Sequence, residues 1–304
     1  MKLAWMFPGQ ASQKVGMGLD LYENTSLGKK YFDQANDILG YDIKSIVFDG
    51  PDEKLKQTQF TQPAIYIVSV ILGKLLIEAG KFPSAVAGHS LGEYSALTIA
   101  EAFSFETGLS LVQVRAESMY KAGESIPGSM AAIVGLEDDH VKTLCEKNHS
   151  GIVVPANYNS PGQVVISGNP AAIESMIITA KEEGARMAIQ LNVSGAFHSP
   201  LMASARESLA EILDSTEISD TLYPVYANVS ALPITDGNEI RGLLLKQLES
   251  PVLWSKTIQG MIDNGFEPFI EVGPGKVLQG LLKRIDRKKQ SLGIGTLEEM
   301  NNYV

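Results

Sequence analysis

Apolar runs alternate along the chain with polar, glycine-punctuated stretches, and the period of each run predicts an element. Lys2 to Phe7 is a short apolar run halted by Pro8-Gly9, which predicts a buried strand opening into the polar loop Gln10-Ala11-Ser12-Gln13. A polar helix is expected from Gly18 to Leu39. Thr61 and Pro63 give a helix start before Ala64 to Ala79, where Ile65, Ile67, Val68, Val70, Ile71, Leu72, Leu75 and Leu76 leave almost no polar face. Such a helix must be covered nearly all round. Ala85-Val86-Ala87 reads as a very short buried strand running straight into Gly88-His89-Ser90-Leu91-Gly92, with helices expected at Glu93 to Ala102 and Phe105 to Lys121.

From about Ser129 the pattern becomes a compact series. Strand Met130 to Val134, helix Asp138 to Glu146, strands Ile152 to Ala156 and Gln163 to Ser167, helix Ala171 to Glu183 and strand Arg186 to Val193 follow one another. That order is β-α-β-β-α-β, the ferredoxin-like unit. The chain therefore reads as an α/β protein with a ferredoxin-like subdomain, residues 125–194, inserted into a core formed by 1–124 and 195–304. The core resumes with a helix from Pro200 to Leu213, a strand from Pro224 to Asn228, and helices at Ile240 to Leu248 and Ser255 to Asn264. Strand Pro268 to Val272 then meets Gly273-Pro274-Gly275, a last helix runs to about Arg284, and Gln290 to Val304 is expected to fray.

With 304 residues, 44% of them hydrophobic and 20% charged, the chain has enough apolar surface for a core without covalent staples. Its net charge of -10 argues against a protein that tracks nucleic-acid phosphates. The strongly apolar run Ala64 to Gly73 falls short of the roughly 20 residues that span a bilayer, and Leu3 to Phe7 meets Pro8 too soon to form a signal region. The reading is cytoplasmic, with no membrane and no nucleic acid. The one cysteine, Cys145, cannot form an internal disulfide and lacks the spacing of a metal or redox site, so it is read as structural.

Gly88-x-Ser90-x-Gly92 matches a nucleophile elbow, a tight strand-to-helix turn that presents a serine hydroxyl between glycines. Serine needs a base within hydrogen-bond reach, and four histidines are available. His140 and His149 flank a polar helix and read as solvated; His89 adjoins the serine and should leave the turn in another direction, supporting it. His198, where the chain returns from the inserted unit, is the best base. Arg115 sits in the helix Phe105 to Lys121 with Leu111 and Met119 four residues to either side, an apolar face on which a guanidinium must reach water, find a carboxylate or await an anionic ligand.

Taken together, these residues resemble the malonyl-CoA:acyl carrier protein transacylases of fatty-acid synthesis and the related acyltransferases of polyketide assembly. The matching segments are Phe7-Pro8-Gly9-Gln10, Gly88-His89-Ser90-Leu91-Gly92-Glu93-Tyr94, Arg115, Asn159-Ser160-Pro161-Gly162-Gln163, Gly195-Ala196-Phe197-His198 and Glu271-Val272-Gly273-Pro274-Gly275, in the family's order. The resemblance implies an α/β-hydrolase-like core with the active site between it and the insertion. It makes Ser90 the acyl-accepting nucleophile and His198 the general base and acid. Backbone N–H groups of Gln10 and Leu91 would hold the oxyanion, and the main-chain carbonyl of Gln247, rather than an acidic side chain, would orient the histidine. Arg115 would clamp the malonyl carboxylate, Met119 would line the acyl pocket, and the Phe197 ring would leave little room for an α-methyl branch.

A planar guanidinium meets a carboxylate through two parallel hydrogen bonds, and a buried charge left unpaired costs about 2–5 kcal/mol, enough to set substrate choice alone. The reaction implied is ping-pong transfer from malonyl-CoA, as substrate, to phosphopantetheinylated acyl carrier protein, by a monomer with no permanently bound cofactor and no metal. The basic run Lys283-Arg284 and Arg287-Lys288-Lys289 could meet the acidic carrier or CoA phosphates, or could be a solvated helix end. The family usually has glycine where this chain has Ala11, and a negative φ is expected there. Alternatives on the same residues are a trans-acting polyketide acyltransferase, an acyl hydrolase, or a catalytically silent interaction module.

Overall fold

The computed structural model describes residues 2–304. Lys2–Phe7 forms β1, buried from Ala4 onward, and its alternate residues supply two different cores. Trp5 and Phe7 join the large cluster around helix Thr58–Glu78; Ala4 and Met6 join a second one with Trp254, Ile258 and Leu282. A strand covered on both faces reads as an unbroken apolar run. The remaining strands are β2 Ala85–Gly88, β3 Ser129–Val134, β4 Val153–Ser160, β5 Gln163–Gly168, β6 Met187–Gln190, β7 Val225–Tyr226, β8 Pro233–Ile234, β9 Phe266–Val272 and β10 Ser291–Ile294. The main sheet has the order β10-β9-β1-β2-β7-β8, parallel except for the antiparallel β7–β8 pair. β1 lies at its centre, with Phe7 opposite Gly88 and Met6 opposite both Ala87 and Glu271.

β3 to β6 form a separate four-stranded sheet of order β4-β5-β3-β6 with every neighbour antiparallel. Helices Asp138–Lys147 and Pro170–Glu182 supply its own core, with Val141, Ile173 and Cys145. Burial pushes the Cys145 thiol up to about 12, as suits a structural cysteine. On the other face, Met130, Ala132 and Val165 pack into the large core, so this sheet forms a wall of the space above β1 and β2.

Four expectations need correction. The helix expected over Gly18 to Leu39 is two, Leu19–Asn24 and Ser26–Leu39, because Thr25 leaves the helical conformation and caps the second, accepting from Gly28 N at 2.9 Å. The apolar helix begins at Thr58, before the Thr61/Pro63 signal. Pro63 has no N–H for the Gln59 carbonyl, which accepts instead from the Tyr41 hydroxyl at 3.3 Å. By length and composition this helix could cross a membrane, but 78% of its apolar window is buried inside the fold. The segment expected to fray adds β10 to the edge of β9 and then forms helix Leu297–Tyr303, capped by Thr296. The fourth correction concerns Ala11, in the loop beside the serine.

Candidate active site

β2 and helix Gly92–Ile99 are joined by a turn with room for no side chain at two positions. A Cβ on Gly88 would lie 1.9 Å from the Gly92 carbonyl carbon, and one on Gly92 would lie 2.0 Å from Phe7 O. The turn forces Ser90 to φ 51°, in the left-handed region, and so lifts its side chain off the strand end. Its Oγ lies 2.8 Å from His198 Nε2. His198 Nδ1 faces two carbonyl oxygens, Gln247 at 2.8 Å and Ser250 at 3.2 Å, so Nδ1 carries the proton and the Nε2 lone pair is left for the serine. Among the described residues no acidic side chain bonds the imidazole. Burial, and then the Arg115 charge, push its pKa down to about 3, so the base is neutral at physiological pH.

Arg115 is 1% exposed. Its Nη1 donates to Gln62 Oε1 at 2.5 Å, and its Nη2 to Gln247 Oε1 at 2.9 Å and to Ser90 Oγ at 3.0 Å. All three acceptors are uncharged, and its buried Nε has no partner among the described residues. The guanidinium is therefore solvated by amides and a hydroxyl, with two of its five N–H groups, one on Nε and one on Nη1, unused among the described residues, and carries a charge that no ion pair cancels. Glu93, also 1% exposed, reaches it only through Gln247, whose Nε2 donates to Glu93 Oε2 at 2.6 Å. Burial outweighs the pull of Gln247, Asn228 and Arg115 and pushes the Glu93 carboxyl up to about 7.

Gln10, Ser90, Leu91, Arg115, Met119 and His198 line one cavity of about 590 Å³; Gln247 stands behind the histidine. The backbone N–H groups of Gln10 and Leu91 have no partner among the described residues. Contrary to expectation, Ala11 has φ 82°, and its N–H is capped by Gln13 Oε1 at 2.8 Å. The Gln10 side chain is tied down as well, donating to Thr58 Oγ1 at 3.3 Å. The loop thus keeps the glycine-like conformation although it carries a Cβ, and the neighbouring side chain holds it there.

His89 supports the turn as expected: its Nε2 lies 2.8 Å from Asn159 Oδ1 on β4 and its ring lies 5.5 Å from that of Trp254. Phe197 lines the cavity. His140 pairs with Glu183 at 3.2 Å and His149 is exposed, so neither joins the site. Of the basic run, Arg284 bonds Gln163 at the cavity wall and Lys289 pairs with Glu267 at 3.2 Å. No cluster of three or more metal-ligating side chains exists among the described residues. Sequence reading missed Gln62 and Asn228 and assigned no role to Glu93. Gln62 had one weak signal, an amide side chain beside Pro63 in a helix that is apolar beyond it; Asn228 had none.

The chain matches the acyl transferase domain family over residues 4–297. It is 42% identical over 299 residues to the malonyl CoA-acyl carrier protein transacylase of Bacillus subtilis, with 98% of this chain and 94% of that one covered. The transacylase structure from Coxiella burnetii superposes with a TM-score of 0.96 at 39% identity, covering 100% of this chain and 97% of that one. A malonyl-transacylase solved in complex with a type II PKS acyl-carrier protein superposes with a TM-score of 0.95 at 37% identity, covering 99% and 98%. Similarity of this extent, running through both sheets and the cavity between them, makes the chain a member of the malonyl CoA-acyl carrier protein transacylase family.

Proposed function

We propose that the protein is a malonyl-CoA:acyl carrier protein S-malonyltransferase of fatty-acid biosynthesis, acting in the cytoplasm on an α/β-hydrolase-like core (1–124 and 195–304) with a ferredoxin-like insertion (125–194). The observation that carries the reading is an unneutralised, buried guanidinium 3.0 Å from a serine hydroxyl that is itself 2.8 Å from a neutral imidazole. A simple acyl group offers such a cation nothing; an acyl group ending in a carboxylate does.

His198 takes the Ser90 proton at Nε2 as Oγ attacks the malonyl thioester carbonyl. The N–H groups of Gln10 and Leu91 receive the oxyanion, and the Gln247 carbonyl stabilises the imidazolium through Nδ1–H. The C–S bond breaks, CoA leaves with the proton from His198, and malonate remains esterified to Ser90. The phosphopantetheine thiol of the carrier then gives its proton to His198 and attacks the ester; the serine oxygen leaves and takes that proton back. Arg115 holds the malonyl carboxylate in both halves, through the N–H groups that Gln62, Gln247 and Ser90 leave unused.

Exposure to malonyl-CoA should place malonate on Ser90, read by mass spectrometry of the Ser90 peptide. CoA release with an unmodified serine would overturn the acyl-enzyme scheme. Holo acyl carrier protein should accept the group faster than water does; faster hydrolysis would make the protein a hydrolase. The relative bound to a polyketide carrier supports a second reading, supply of malonyl groups to polyketide synthesis, which a panel of holo carriers of both kinds decides.

A further inference from the structure

Both backbone polar groups of Ser90 are held by side chains from far along the chain. Its N–H donates to Asn228 Oδ1 at 2.7 Å, and its carbonyl accepts from Gln247 Nε2 at 3.1 Å. Asn228 also clips the entrance of the turn, donating from Nδ2 to Gly88 O at 2.6 Å. The two holders converge on one oxygen, Glu93 Oε2, which accepts from Gln247 Nε2 at 2.6 Å and from the Asn228 backbone N–H at 3.3 Å. The other end of the Gln247 amide accepts from Arg115 at 2.9 Å.

A carboxamide can be seated two ways, and its bonding partners decide which. Turned over, Gln247 would set its NH2 against Arg115 Nη2, donor against donor. Its carbonyl would meet the Glu93 carboxyl oxygen and the Ser90 carbonyl, acceptor against acceptor twice. All three bonds would be lost. Of the two acceptors of the NH2, Glu93 Oε2 makes the shorter bond, 2.6 Å against 3.1 Å to the Ser90 carbonyl, and Glu93 does not line the substrate cavity.

We propose that Glu93 is a positioning residue that fixes the orientation of the Gln247 carboxamide and so aims the Arg115 guanidinium, making selectivity for a dicarboxylate acyl donor depend on a side chain that never touches the substrate. The inference rests on the malonyl-transfer reading. With Glu93 gone, Arg115 keeps Gln62 and the Gln247 amide keeps the Ser90 carbonyl, but its NH2 loses the 2.6 Å bond and is anchored by one bond at 3.1 Å, so the oxygen it holds against the guanidinium is no longer fixed in place.

The wild-type protein is assayed first with malonyl-CoA and acetyl-CoA and holo carrier; failure to transfer malonate there defeats the functional reading and not this inference. Glu93→Leu should then lower the malonyl-to-acetyl ratio of kcat/KM by about tenfold to a hundredfold, chiefly through a raised KM for malonyl-CoA. Gln247→Leu, which keeps the main-chain carbonyl for His198, should give the same loss, and the double variant should be no worse than either alone. Glu93→Gln, which retains a carbonyl acceptor, should hold the ratio within about threefold of wild type. An unchanged ratio in folded Glu93→Leu, or losses that multiply in the double variant, overturns the proposal. If Glu93→Leu does not fold, an unchanged ratio in Gln247→Leu overturns it as well.

Discussion

Two cations could serve at position 198 or 115, and the surroundings permit only one. Arg115 stays charged because amide oxygens and the serine hydroxyl surround it, while His198 is kept neutral by burial and by that same arginine. Replacing Arg115 by alanine should cut kcat/KM for malonyl transfer by about 30-fold to several thousand-fold, the equivalent of about 2–5 kcal/mol, with a far smaller loss for acetyl-CoA. Parallel losses would remove its role with the carboxylate. For His198, whose pKa is depressed, protonation demands pH well below the ordinary 6.5; its imidazole resonances should therefore stay at the neutral position between pH 5 and 8. A midpoint near 6.5 would contradict burial of the imidazole beside the Arg115 charge. The serine, histidine and arginine are legible in the sequence because each belongs to a local pattern: an elbow, a returning loop, an apolar helix face. Asn228 and the function of Glu93 are not, because their meaning lies in distant partners: Ser90, 138 positions from Asn228, and Gln247, 154 positions from Glu93.

Among the elements, legibility follows burial. β1, β2 and β9 and the helix after β2 are strongly apolar and come close to the predicted ranges. Two of the misread stretches, Gly18 to Leu39 and Gln290 to Val304, are polar and are decided by single capping residues, Thr25 and Thr296; the third, the helix start at Thr58, is buried but its first turn and a half carries Thr58, Gln59, Thr61 and Gln62 ahead of Pro63. The elbow depends on close backbone approach, so Gly92→Ala, whose Cβ would lie 2.0 Å from Phe7 O, should cost about 3 kcal/mol or more and abolish transfer; denaturant unfolding checks the first and the acyl-Ser90 assay the second. The C-terminal strand and helix bury Ile294 and Met300. Ending the chain after Gln290 should lower stability by about 3–6 kcal/mol, roughly the burial of those two side chains, read as a lower denaturant midpoint. A midpoint unchanged by the truncation would restore the frayed tail.

For the molecule as a whole, the decisive relation is the meeting of two sheets around one cavity, with β4 and β5 facing the end of β2 and with His89 and Asn159 joined across the gap. The β-α-β-β-α-β series announces the second sheet in the sequence; its approach to the first does not show there, because it rests on contacts such as Tyr158 N to Val252 O at 2.9 Å. The place of β1 also has a cost during synthesis. This strand leaves the ribosome long before its neighbour β9, Phe266–Val272. At about 5–20 residues per second, the nascent chain carries Trp5 and Phe7 without that partner for roughly ten to fifty seconds, and throughout that time the future centre of the protein is a surface that chaperones can read.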